Sequence, residues 1–195
     1  MDPGEVKVLR AKPWFTTAAV AEALGVKRAS ARVAVSRWQR RGLLYSLKND
    51  FHVYAADWAG RTTEDRFRIA AFLRVPSYVS LLTALSWHGI TTQVQRGVVE
   101  CVTLRRPSRH EAGEVEFRYY KTSEALFGGF AQTDGYFMAT PEKAFVDAVH
   151  LYRYGKYALD VAALSLDKLD RKRLKAAFRP YPEPTAVAVR KICRS

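Results

Sequence analysis

Between Phe15 and Ala55 the sequence changes from helical to alternating periodicity, and two glycines mark the changes. Thr16 is a good N-cap, and Thr17–Leu24 is a run of strong helix formers that Gly25 stops. A second run, from Lys27 or Arg28 to Arg41, repeats Ala31, Ala34, Val35 and Trp38 at helical spacing and ends at Gly42. Leu43–Leu47 and Phe51–Ala55 then read as strands about a Lys48-Asn49-Asp50 turn. A short helix, a glycine turn, a longer helix and a hairpin form the layout of a winged helix-turn-helix. Phe15, Leu24, Trp38 and Leu43 are its expected core, with Phe15 as a short strand or anchor. A further helix is expected ahead of it, from Asp2 or Pro3 to about Lys12, closed by Pro13.

The longer helix carries an unusual charge pattern. From Lys27 to Arg41 there are six basic side chains and no acidic one. A helix face that is merely solvated usually mixes both signs, because i,i+4 pairs support it. Six like charges repel one another unless a polyanion covers them. In a helix-turn-helix the second helix enters the major groove of DNA, N-terminal residues foremost. The expected contact face is therefore Lys27, Arg28, Ser30, Arg32, Ser36, Arg37 and Arg40. Arg28 and Arg32 have the fork geometry that reads guanine, and Ser30 can donate to a base or a phosphate. Lys27, Arg37 and Arg40 suit phosphates. Lys48 and Asn49, at the hairpin tip, are placed to touch the backbone or the minor groove. The whole chain, 195 residues at +13, favours the same kind of partner.

Composition narrows the remaining classes. Hydrophobic residues are 48%, enough for a sizeable core. Two cysteines, Cys101 and Cys193, make no disulfide framework, and His52, His88, His110 and His150 have no metal-ligand spacing. No apolar run is long enough to span a bilayer, and the first residues lack a signal-peptide pattern, so a cytoplasmic protein with no membrane partner, no metal and no cofactor is expected.

Beyond Trp58–Thr63, read as a connection, the pattern mixes helices and strands. Helices are expected from Glu64 to about Arg74 with Thr63 as cap, and from Tyr78 to His88 with Ser77 as cap. Val98–Leu104 and Val115–Lys121 read as strands joined by a hairpin loop over Arg106–Gly113, and Tyr136–Ala139 as a short strand. Thr140-Pro141-Glu142 starts a helix to about Tyr152. The tail is expected to be helical at Ala158–Ala163, Asp170–Phe178 and Thr185–Cys193. The expectation is an α+β chain: a winged helix-turn-helix over residues 1–60 and a mixed α/β C-terminal domain over 61–195. Arg105, Arg106 and Arg109 form a candidate second basic patch, better placed than Lys168, Arg171, Lys172, Arg173 and Lys175, which Asp167 and Asp170 buffer.

An enzyme reading has less to stand on. Lys143 and Asp147 lie four apart on one helix face, an ordinary ion-pair spacing. Glu142 at a helix start serves the dipole, and Glu114 and Glu116 lack partner carboxylates for a metal-dependent nuclease. Gly128-Gly129 is too short to cradle a phosphate. A non-enzyme is expected.

Three later stretches resemble the AbiEi family, the abortive-infection antitoxins of type IV toxin–antitoxin systems. Pro76–Ile90 is similar to the family's "YISLxSALxxxGL" helix. Val102–Arg106 and Val115–Lys121 resemble its paired strands, and Ala139–Asp147 its "ATPEKAxxD" signature. With the hairpin unit ahead of them, the resemblance spans roughly residues 15–152. It implies an N-terminal winged helix that binds operator repeats in double-stranded DNA and represses its own operon. It also implies a C-terminal domain that counteracts a toxin of nucleotidyltransferase type. The C-terminal region here is shorter than in longer members. The alternatives are a stand-alone winged-helix regulator without a toxin, a DNA-binding subunit of a nucleic-acid-processing enzyme, and a module that binds a protein through its second domain.

Overall fold

The computed structural model describes Leu9, residues 13–93 and residues 95–193. The helix expected up to Lys12 lies outside these residues except for Leu9, which is helical and fully buried. The described chain is mixed α+β.

The N-terminal elements begin with α1 (Thr17–Leu24), whose cap Thr16 accepts from Ala19 N at 3.1 Å. Gly25 closes it at φ +63°, where a side chain would be strained. α2 (Arg28–Arg40) follows, and Gly42 turns the chain into β1 (Leu44–Lys48) and β2 (Phe51–Tyr54), an antiparallel pair. Phe15 forms a single bridge to His52 on the other edge of β2, with two backbone hydrogen bonds of 2.9 Å. Asp50 takes the left-handed turn position, and its Oδ1 accepts from Thr17 N at 2.6 Å. The hairpin tip thereby gives α1 a second cap.

All four residues of β2 are buried. Its hairpin divides between two cores. Leu44 and Tyr54 join Phe15, Val20, Ala31, Val35 and Trp38 in the smaller one. Leu47, Phe51 and Val53, with Trp58, belong to the larger.

The larger core surrounds a six-stranded sheet in the order β5-β6-β4-β3-β8-β7. Its strands are β3 (Ser77–Val79), β4 (Val98–Thr103), β5 (Ser108–Ala112), β6 (Val115–Lys121), β7 (Phe130–Thr133) and β8 (Tyr136–Ala139). β3 runs antiparallel to β4 and parallel to β8, and β4 runs parallel to β6. The helices are α3 (Thr63–Leu73), α4 (Leu81–Trp87), α5 (Pro141–Arg153), α6 (Arg171–Phe178) and α7 (Glu183–Ile192). Tyr119 and Tyr78 occupy alternate register positions and so face opposite sides of the sheet. The Tyr119 hydroxyl donates to Ala70 O of α3, and the Tyr78 hydroxyl donates to Asp147 of α5. α3 therefore covers one face and α5 the other.

Several elements depart from the sequence reading. The helix expected from Tyr78 begins only at Leu81, with Ser80 at its cap position, and Ser77–Val79 is instead a central strand. Tyr78 and Val79 favour a pleated, two-sided buried position, and both neighbouring strands take up their backbone groups. The cap of α3 is Thr62 rather than Thr63, because Asp65 N reaches Thr62 Oγ1 at 3.2 Å. The expected loop over Arg106–Gly113 contains β5, an edge strand that makes the hairpin with β6, so the chain reverses again at Gly113 and β6 runs parallel to β4 rather than forming a hairpin with it. β7 was not anticipated, and of Ala158–Ala163 only Val161–Ala163 forms a 3-10 turn. The strand Tyr136–Ala139 and the Thr140-capped helix stand as expected.

Candidate nucleic-acid interface and buried polar centre

α2 rests on the smaller core through Ala31, Val35 and Trp38. At about 100° per residue, the row directly opposite is Ala29, Val33, Ser36 and Arg40, flanked by Arg32 and Arg37. All of these are exposed, as are Lys27, Arg28, Ser30, Lys48 and Asn49. Asp50 is paired with this helix: Arg28 Nη2 lies 3.0 Å from its Oδ2. Arg28 is thus drawn towards the hairpin, away from the outer row. Lys48 is also engaged. Its Nζ donates to Phe72 O at 3.2 Å and Leu73 O at 2.9 Å, the last carbonyls of α3. Asn49 remains at the exposed tip.

The sequence reading missed Val33. It stands outside the apolar stripe and is 49% exposed, flanked by arginines. A β-branched apolar residue there has no core to serve. The signal was present in the sequence as a valine two positions after Ala31 and two before Val35, off their common face.

The second patch is less free than its charge suggests. Arg105, Arg106 and Arg109 are exposed. Arg109 lies 3.6 Å from Glu116, and Arg106 O accepts from Arg74. Glu116 also binds Arg118, whose guanidinium is the main reason the Glu116 carboxyl is held below the usual range.

The polar residues considered for catalysis form a closed centre beneath the sheet. Lys143 and Asp147 are 4% exposed in their side chains and 2.6 Å apart. The Lys143 ammonium donates to Asp147 Oδ1, to the Tyr78 hydroxyl at 2.9 Å and to the Tyr181 hydroxyl. Asp147 Oδ1 also accepts from Tyr181, and Oδ2 accepts from Tyr78 at 3.0 Å and Ser80 at 2.9 Å. The three ammonium protons and four carboxylate lone-pair sites are all used. Burial pushes both tyrosine hydroxyls far up, with Asp147 reinforcing the shift. Burial pushes Lys143 down against the pull of Asp147. In this enclosed centre no ammonium proton and no carboxylate lone pair is left over.

The remaining groups are partly engaged. Glu142 Oε1 accepts from Asp170 N at 3.1 Å, tying the start of α5 to that of α6, while Glu142 Oε2 and His110 Nε2 are buried without a partner among the described residues. His52, His88, His110 and His150 each meet a hydroxyl or a carbonyl within 3.1 Å. Among the described residues no group of three or more His, Cys, Asp or Glu is placed to hold a metal ion, and no helix is long and apolar enough to cross a membrane.

The fold and this surface together define an α+β protein that presents an exposed basic helix beside a two-stranded hairpin. No protein-family model matches the chain, and no curated protein is significantly similar to it.

Proposed function

We propose that the chain is a sequence-specific regulator that binds double-stranded DNA through a winged helix-turn-helix over Phe15–Ala55. One observation carries the reading: the outer face of α2 holds exposed cations on either side of an exposed valine, with no acid along the helix. Arginine forks suit guanine edges, and an apolar branched side chain suits the thymine methyl. Arg32 and Val33 are the base readers in this reading, with Ser36 beside them. Lys27, Arg37 and Arg40 hold phosphates, and Arg28 is positioned by Asp50. The resemblance of Pro76–Ile90 and Ala139–Asp147 to AbiEi antitoxins supports a more particular role. In that role the protein represses its own operon and its C-terminal domain counteracts a nucleotidyltransferase-type toxin in the cytoplasm. A stand-alone regulator is the same reading without the toxin. The enzyme reading draws no support from the saturated Lys143–Asp147 centre.

The test is fluorescence anisotropy with DNA from upstream of the protein's own gene, against a shuffled duplex. Affinity should fall with salt at a log–log slope of about −0.9 per phosphate contacted. Arg32→Ala should reduce the preference for the upstream duplex by about 1–3 kcal/mol, and Val33→Ala by less. Equal affinity for both duplexes, or a flat salt response, refutes the reading.

A further inference from the structure

A cavity of about 630 Å³ lies between α3 and α4, at the start of β4. It is remote from α2 in sequence and shares no residue with the proposed DNA surface. Its volume falls in the range of small-molecule sites. Three features give its chemistry. Trp87 lines the wall and is 45% exposed although its ring makes a T-shaped contact with Phe67 at 5.4 Å, so much of its surface is uncovered. Arg66 and Arg96 supply two guanidiniums, against one acidic residue, Glu114. Finally, Arg66 Nε and Gln95 Oε1 are buried without a hydrogen-bond partner among the described residues. A buried donor and acceptor left unmade are costly, so the side chains at this wall are not held by internal hydrogen bonds at these atoms. The wall is also held in place. Gly97, at φ +78°, packs so closely on the Glu114 carbonyl that even a Cβ would collide with it.

We propose that this cavity binds a mononucleotide, with the base stacked on Trp87 and the phosphate on Arg66 and Arg96. An exposed indole suits any planar base, and planar guanidiniums bind phosphate in bidentate fashion. No part of this rests on DNA binding.

The experiment is an NMR and calorimetric titration of the full chain with AMP, GMP, CMP and UMP, with adenosine and inorganic phosphate as separate arms. Trp87→Phe assigns the Trp87 indole N–H among the four tryptophan signals. At least one nucleotide should saturate the protein and shift that signal. Arg66→Gln and Arg96→Gln should each weaken binding by about tenfold or more, as should removing the phosphate or the base from the ligand. Both variants should melt like the parent protein, since each changes one side chain at the cavity wall. The proposal is overturned if no nucleotide binds at millimolar concentration or if both arginine variants bind as tightly as the parent. It also fails if inorganic phosphate alone binds as well as the nucleotide, or if the shifts fall on other tryptophans.

Discussion

At the scale of single residues, Lys143 and Asp147 show how the protein uses charge inside its core. Removing either partner leaves the other buried and unpaired, which typically costs about 3–5 kcal/mol. Lys143→Met should therefore lower the urea midpoint sharply. The double replacement Lys143→Met with Asp147→Leu should recover much of the loss, because apolar pairs of similar volume often replace buried ion pairs at little cost. A double variant no more stable than the single one would mean that Tyr78, Ser80 and Tyr181 need the charges to hold their hydroxyls. Val33 illustrates the opposite case: an apolar side chain kept in water where the core makes no demand for it.

At the scale of elements, the β1–β2 hairpin is tied to α1 by His52. Its Nε2 lies 3.1 Å from Thr17 Oγ1 and its Nδ1 2.8 Å from Ser46 Oγ. Burial lowers the His52 pKa below its ordinary 6.5, with Asp50 opposing. A histidine with a depressed folded-state pKa favours the folded state fully above its unfolded pKa. That contribution is lost as pH falls through the folded value, where the unfolded chain takes up the proton first. The native protein should lose stability on going from about pH 7.5 to about pH 5, and His52→Gln should lose less. Denaturant melts of both proteins at the two pH values measure the difference. Equal losses would assign the acid sensitivity to other groups, among them His150, whose pKa burial also lowers.

At the scale of the whole molecule, the hairpin makes the N-terminal elements dependent on the rest. Leu47, Phe51, Val53 and Trp58 lie in the larger core, Trp14 stacks on Phe51 at 4.6 Å, and Lys48 caps α3. A fragment of residues 1–60 would expose these apolar side chains, each worth about 1.5–3 kcal/mol when buried. It should therefore show no cooperative thermal transition by circular dichroism, whereas the full chain should show one. A sharp melt of the fragment would show that the smaller core suffices alone. The same coupling bears on the proposed DNA surface, because the larger core braces the hairpin beside α2.

Local chemistry was sufficient to locate much of this protein. Thr16, Gly25 and Gly42 bounded α1 and α2, and Thr140-Pro141 started α5, because caps and left-handed turns act over a few residues. The Ala31, Val35 and Trp38 stripe marked the buried side of α2, and hence its basic exterior, through the helical period alone. Tertiary structure decided whatever depended on distant partners. Ser77–Val79 became a strand because β4 and β8 bond to it from both sides, over a preference that was locally helical. Lys48 turned back because α3 ends within its reach, and Asp50 drew Arg28 across 22 residues of sequence. The Lys143–Asp147 spacing was visible in the sequence, but its saturation by Tyr78, Ser80 and Tyr181 was not. Periodicity reports which side of an element is buried; only packing determines what it is buried against.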